Sequence, residues 1–155
     1  MAFLSSLDIS GSALTASRLR MDVISENIAN ADTTRTENGG PYRRKMVVYQ
    51  SIEQQNSNSS FQSSLNQAVS ASAGTSNDAT GGVKVTGIVE DQTPFSSVYD
   101  PSNPDANAQG YVLKPNVNVI QETLDMMAVT RAYSANINSL DAVKNMASKA
   151  LEIGK

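Results

Sequence analysis

The chain has no cysteine, no histidine and no tryptophan, and only three phenylalanines among 155 residues. Without cysteine there is no disulfide and no thiolate metal site. Without histidine, the commonest metal ligand and the usual general base are gone as well. The missing thiols do not fix a compartment, because cytosolic and exported chains both dispense with them. Apolar residues make up 39% and aromatics 5%, which makes a large compact core hard to build. Such a chain still forms helices that bury one stripe each, above all against other subunits. Charge is also sparse: 12 basic and 15 acidic residues leave a net −3, which gives no basic footprint for nucleic acid. The only tight basic run is Arg43-Arg44-Lys45, read as the solvated beginning of a strand. No run approaches the roughly 18 apolar residues of a membrane span. The start, Met-Ala-Phe-Leu-Ser-Ser-Leu-Asp, lacks the basic and apolar regions of a secretory signal peptide. The expectation is a cytoplasmic chain, or one exported without cleavage.

What remains is organised in three parts, within a length that suits one domain. The first is a helix from about Ser5 to Asn30, where Leu7, Leu14, Met21 and Ile28 recur every seven residues. Phe3, Ser10, Ser17, Ile24 and Ala31 fill the row three residues on, giving a coiled-coil-like seam with small residues where a strong zipper has leucine. Ser5 followed by Asp8 resembles a weak capping box, and Gly11 costs about 1 kcal/mol of helix propensity relative to alanine. The helix should stop at Asn30-Ala31-Asp32-Thr33-Thr34, whose short polar side chains compete for backbone hydrogen bonds.

The middle, 35–110, reads as a β-containing lobe. Asn38-Gly39-Gly40-Pro41 is a turn. Tyr42 to Ile52 reads as a strand, and the alternation around Val83, Val85 and Gly87 as a second. Gln92 to Gly110, with its prolines, reads as an extended loop, so the expectation is one small antiparallel sheet with long connections. Between the strands, about 54–82, the chain is mostly Ser, Asn, Gln, Ala, Gly and Thr with a single charge, Asp78. That composition predicts a flexible loop, with Phe61, Leu65 and Val69 spaced for a short helix.

The third part is a long helix from about Asn116 to Ile153, preceded by Pro115 and an N-cap-like Asn118 followed by Gln121. Val119, Met126, Tyr133, Leu140 and Ala147 recur every seven residues. Val129 and Val143 lie on one side of that row, Ile137 and Leu151 on the other. Gly154 is placed to end the helix, with Lys149 and Lys155 suited to its negative end. The fold class is therefore mainly α with a small β insertion, the terminal helices pairing as a coiled coil. Their apolar residues spread beyond one stripe, which calls for an oligomer built through the chain ends. A self-contained helical hairpin with a β insertion is the competing expectation.

Residues able to carry chemistry are few. Asp22 with Glu26, and Glu122 with Asp125, pair carboxylates on helix faces, but no companion motif turns either into a hydrolytic site. No catalytic residue, cofactor or metal ligand is expected. Asn27 and Asn30 share a face and suit helix capping or bonds to a neighbouring subunit's backbone. Tyr133 suits packing. Arg131, with Glu122 and Asp125 upstream, suits an intersubunit ion pair.

The segment Ser12-Ala13-Leu14-Thr15-Ala16-Ser17, leading into Asp22-Val23-Ile24-Ser25-Glu26-Asn27-Ile28-Ala29-Asn30-Ala31-Asp32-Thr33-Thr34, resembles the N-terminal signature of flagellar rod and hook proteins. Gly110-Tyr111-Val112-Leu113-Lys114-Pro115-Asn116-Val117-Asn118, then Glu122, Met126, Met127, Arg131-Ala132-Tyr133, Asn136, Lys144, Met146 and the closing Leu151-Glu152-Ile153-Gly154-Lys155, resembles the C-terminus of the proximal-rod branch of the flagellar basal-body rod family. The likeness covers the two ends and the overall size and does not extend to the middle.

The resemblance implies a structural subunit of the proximal rod. Segments 1–34 and 111–155 would form the helical polymerisation domain around a central export channel, with 35–110 as an outer lobe. It also implies export by the flagellar apparatus without a cleaved signal, and a place in the rod where it crosses the periplasm. Partners would be copies of itself, other rod proteins, and the export gate or adapter at the rod base, with no nucleic acid and no membrane insertion. The residues expected at subunit contacts are Leu7, Leu14, Met21, Ile24, Asn27, Ile28 and Asn30 from the first helix. From the last they are Met126, Met127, Val129, Arg131, Tyr133, Asn136, Ile137, Leu140, Val143 and Leu151. Alternatives are another rod or hook axial protein and a soluble helical adapter.

Overall fold

A computed structural model describes residues 2–37, 39–52 and 81–153. Two helices dominate, α1 at Ala2–Ala29 and α2 at Val119–Ile153. Between them lie two separate antiparallel ribbons: β1 (Lys45–Ser51) with β2 (Val83–Glu90), and β3 (Ser96–Tyr99) with β4 (Tyr111–Lys114). The mainly helical class with a small β insertion is what the sequence predicted. The single sheet is not what forms. β3 lies within the stretch read as loop, because Ser96 and Ser97 carry little strand propensity and prolines stand close by. It becomes a strand because β4 supplies a partner, with Tyr99 opposite Tyr111 and their rings edge-on at 5.3 Å. Gly110 closes this hairpin at φ +79, and a Cβ there would meet the Tyr99 ring at 2.8 Å.

The helix ends follow local chemistry. Asn30 ends α1: its side-chain amide donates to the Glu26 carbonyl at 2.9 Å and its Oδ1 accepts from the Thr33 hydroxyl at 3.2 Å. Asn118 caps α2, its Oδ1 accepting the Ile120 and Gln121 amides at 3.1 and 3.4 Å, the expected N-cap role. Ser5 and Asp8 do not cap α1; they lie inside it, since the helix begins at Ala2. The expectations for Asn38, Phe61, Leu65, Val69, Gly154 and Lys155 lie outside the described residues.

The two helices run antiparallel. Asn27 meets Glu122 near one end of the pair, while further along the Thr130 hydroxyl lies 3.8 Å from the Met21 sulfur. α1 also packs on β1 and β2, so it is covered from two directions. Its most buried side chains, Ala16, Val23, Ile24 and Asn27, therefore span a broader face than one seam, and Leu7, Leu14, Met21 and Ile28 flank it half-buried. On α2 the side chains withdrawn from solvent are, besides Asp125 beside the arginines, Glu122, Met126, Val129, Tyr133, Asn136, Leu140, Val143 and Ala147. The eight from Glu122 to Ala147 alternate in steps of four and three, the spacing of a coiled-coil seam. The Val129–Val143 row is thus the one that joins the seam, and Ile137 and Leu151 stay exposed. Among the described residues no helix is long and apolar enough to cross a membrane.

Candidate functional site

Where the end of α1, the start of α2 and the start of β1 meet, polar side chains are buried. Asn27 and Glu122 are each 1% exposed. The Asn27 amide nitrogen donates to the Lys45 carbonyl at 2.9 Å and to Glu122 Oε2 at 3.0 Å. Its oxygen accepts from the Lys45 amide at 2.9 Å and the Tyr42 hydroxyl at 3.0 Å. An asparagine has two donor hydrogens and two acceptor lone pairs, and all are used. By bonding both backbone groups of Lys45, the side chain acts like a further strand beside β1 and ties that strand to α1.

Glu122 Oε1 accepts from Arg44 Nε at 2.6 Å, and the same guanidinium lies 3.6 Å from Asp91 and 3.8 Å from Asp125. The Arg44 backbone amide donates to Asn116 Oδ1 at 2.8 Å, and Asn116 donates in turn to the carbonyls of Asp91 and Thr93. Lys45 pairs with Glu26. Arg43 donates to the Asp91 carbonyl at 3.0 Å and stacks 4.4 Å over the Phe95 ring. The basic run is thus no solvated strand end, as its sequence context suggested. Carboxylates from α1, α2 and the segment after β2 converge on it, and only the tertiary structure brings them there. Among the described residues no buried side-chain nitrogen or oxygen lacks a partner.

Burial alone would lower the pKa of Arg44, but the hydrogen bond to Glu122 and the charges of Glu122, Asp91 and Asp125 outweigh it and raise it. Burial, then Glu26, Glu122 and Glu90, push the Tyr42 hydroxyl up to about 12. The folded state therefore holds this proton more tightly than an unfolded chain, whose tyrosines titrate near 10. The resulting stabilisation is complete below about pH 10 and is lost as pH rises toward 12. Ultraviolet titration of the folded protein should show a tyrosinate step near pH 12 that Tyr42→Phe removes. Tyrosines that all ionise near the ordinary value in the folded chain would contradict this placement.

The residues expected at subunit contacts fall into distinct places. Ile24, Asn27 and Val129 are buried inside the chain, and the backbone that Asn27 bonds is its own β1. Met126, Tyr133, Asn136, Leu140 and Val143 line the seam of α2 half-buried, and Asn30 ends α1. Met127, Arg131, Ile137 and Leu151 are exposed. Glu122 and Asp125 serve Arg44 and Arg20, not Arg131. Sequence reasoning gave no role in this cluster to Tyr42, Arg44 and Asn116, and it passed over the bare apolar residues Ile120 and Leu124. Glu122 was legible in one respect: it stands seven residues before Val129, in the row that continues through Asn136 and Val143.

Comparison with known proteins agrees at both ends and along the whole length. The family described as "Flagella basal body rod protein" matches residues 7–35, and "Flagellar basal body rod FlgEFG protein C-terminal" matches 108–153. The flagellar basal-body rod protein FlgC of Bacillus subtilis is 53% identical over 97% of each chain. The FlgC proteins of Escherichia coli, 43% identical over the full length of both chains, and of Borreliella burgdorferi, 38% identical over 99% of this chain and 98% of that one, are similar to it as well. The chain therefore belongs to the FlgC family of flagellar basal-body rod proteins, structural subunits of the rod.

Proposed function

We propose that the chain enters the rod through its two terminal helices, segments 1–34 and 111–155, and that 35–110 forms a lobe on the outside. It is exported without a cleaved signal and contacts copies of itself, other rod proteins and the export gate or adapter at the rod base. It carries out no catalysis. The observation that supports this is the set of apolar side chains that α2 leaves uncovered around its outer surface. Ile120 is 75% and Leu151 76% exposed, and Leu124, Met127, Ile137 and Met146 are exposed as well. α2 has 35 residues against 28 in α1, so at about 1.5 Å per residue it is longer by roughly 10 Å. With Asn27 beside Glu122 and the helices antiparallel, the surplus falls at the end that carries Leu151. A head-to-tail assembly covers Leu151 on that overhang with the next subunit, and burying a leucine contributes about 1.5–3 kcal/mol each time.

Deleting residues 151–155 is expected to leave a protein that is made and secreted but absent from purified basal bodies, in cells that do not swim. Normal incorporation and swimming would show that this helix end is not the assembling element.

A further inference from the structure

Large side chains recur every seven residues on both helices, Leu7, Leu14 and Met21 on α1 and Met126, Tyr133 and Leu140 on α2, so a shift of one heptad still sets one against another and these layers discriminate weakly between registers. Polar residues interrupt the seam at Glu122, buried, and Asn136, half-buried. Among the described residues the layer at Glu122 is closed by a buried cross-helix hydrogen bond, from Asn27 at 3.0 Å, whereas the Arg20–Asp125 and Thr130–Met21 contacts across the helices lie at half-buried or exposed positions. A single buried polar residue in a coiled coil fixes register because every other register leaves it unpaired.

We propose that the Asn27–Glu122–Arg44 layer is a register lock, which sets how far α2 projects beyond α1 and so which part of α2 is presented to a neighbour. The lock reads three elements at once. Asn27 is held in place by β1, through Lys45 and Tyr42. Glu122 is claimed from the other side by Arg44, the residue just before β1. Sliding α2 by one heptad would bury Glu122 away from both partners and leave one donor of Asn27 empty. It would also carry Asp125 away from Arg20 and Arg44. The lock is internal to one chain, so it stands whether or not the helices are the assembling element.

The test exploits the absence of cysteine. Spin labels at Asp22→Cys and Asp141→Cys, both exposed positions on opposite helices, are offset along the helix axes, so a heptad slip changes their separation by about 10 Å. Pulsed electron resonance on the full chain should give one narrow distance. Arg44→Met with Glu122→Leu replaces the ion pair by apolar groups of similar bulk and leaves Asn27 its bonds to Lys45 and Tyr42. This variant should keep its helical circular dichroism and gain a second distance displaced by about 10 Å. Glu122→Gln, which still accepts from Asn27, should keep the single distance even if its melting temperature falls. A double variant that stays unimodal at the parent distance overturns the proposal. So does one that loses its helix signal, which would make the layer a stabilising strut. A second distance in Glu122→Gln would show that register does not depend on this hydrogen bond, and would overturn it too.

Discussion

Replacing Glu122 with alanine is expected to cost the folded chain about 3–5 kcal/mol, the range for removing one partner of a buried ion pair. The loss has three sources. Arg44 gives up its shortest contact, at 2.6 Å, and keeps only Asp91 and Asp125 at 3.6 and 3.8 Å. The Asn27 amide loses its acceptor on the far helix. The carboxylate also leaves a cavity at a site that is 1% exposed. Domains of ordinary stability have about 5–15 kcal/mol in total, so the variant should unfold at a much lower urea concentration with an unchanged slope. Asp125→Ala, at a partly exposed position 3.8 Å from the guanidinium, should cost less than about 1 kcal/mol. Equal losses from the two substitutions would show that the arginine is solvated and the cluster open.

Asn27→Leu is the second large effect. Leucine fills a similar volume, so the cost isolates the hydrogen bonds. Four bonds disappear together: two to the Lys45 backbone, one to Tyr42 and one to Glu122. A buried polar group left unpaired costs about 1–3 kcal/mol, and a total of about 3–5 kcal/mol follows if the Tyr42 hydroxyl turns toward water. Native-state hydrogen exchange locates the damage. The amide of Lys45, which donates to Asn27 and not across the ribbon, should lose most of its protection, while amides in the middle of α2 keep theirs. A Lys45 amide that exchanges as slowly as before would mean that β1 is held to α1 by something else. By the same reasoning Asn30→Leu, which loses two local, part-buried bonds to Glu26 and Thr33, should cost no more than a lost cap, about 1 kcal/mol.

The sequence by itself determined the two long helices, the stop of the first at Asn30 and the start of the second at Asn118, the β-containing middle and the family. Each is a local property: a repeat of seven, a short polar side chain that competes with the helix backbone, a signature at either chain end. It determined the α2 seam only in part. Met126, Tyr133, Leu140 and Ala147 were legible as a row, but which flank completes it depends on where α1 lies, and the fold chose Val129 and Val143 over Ile137 and Leu151. β3 was decided by its partner, since Ser96-Ser97-Val98-Tyr99 becomes a strand only beside β4. The polar cluster was decided by tertiary structure alone. Tyr42 and Arg44 before β1, Asp91 after β2, and Asn116 and Glu122 around the start of α2 come from three separate stretches of the chain, and no periodicity links them to one another or to Asn27 of α1. A charge in a sequence looks solvated until the fold removes its water, and at Arg44 and Glu122 burial forced each to find the other.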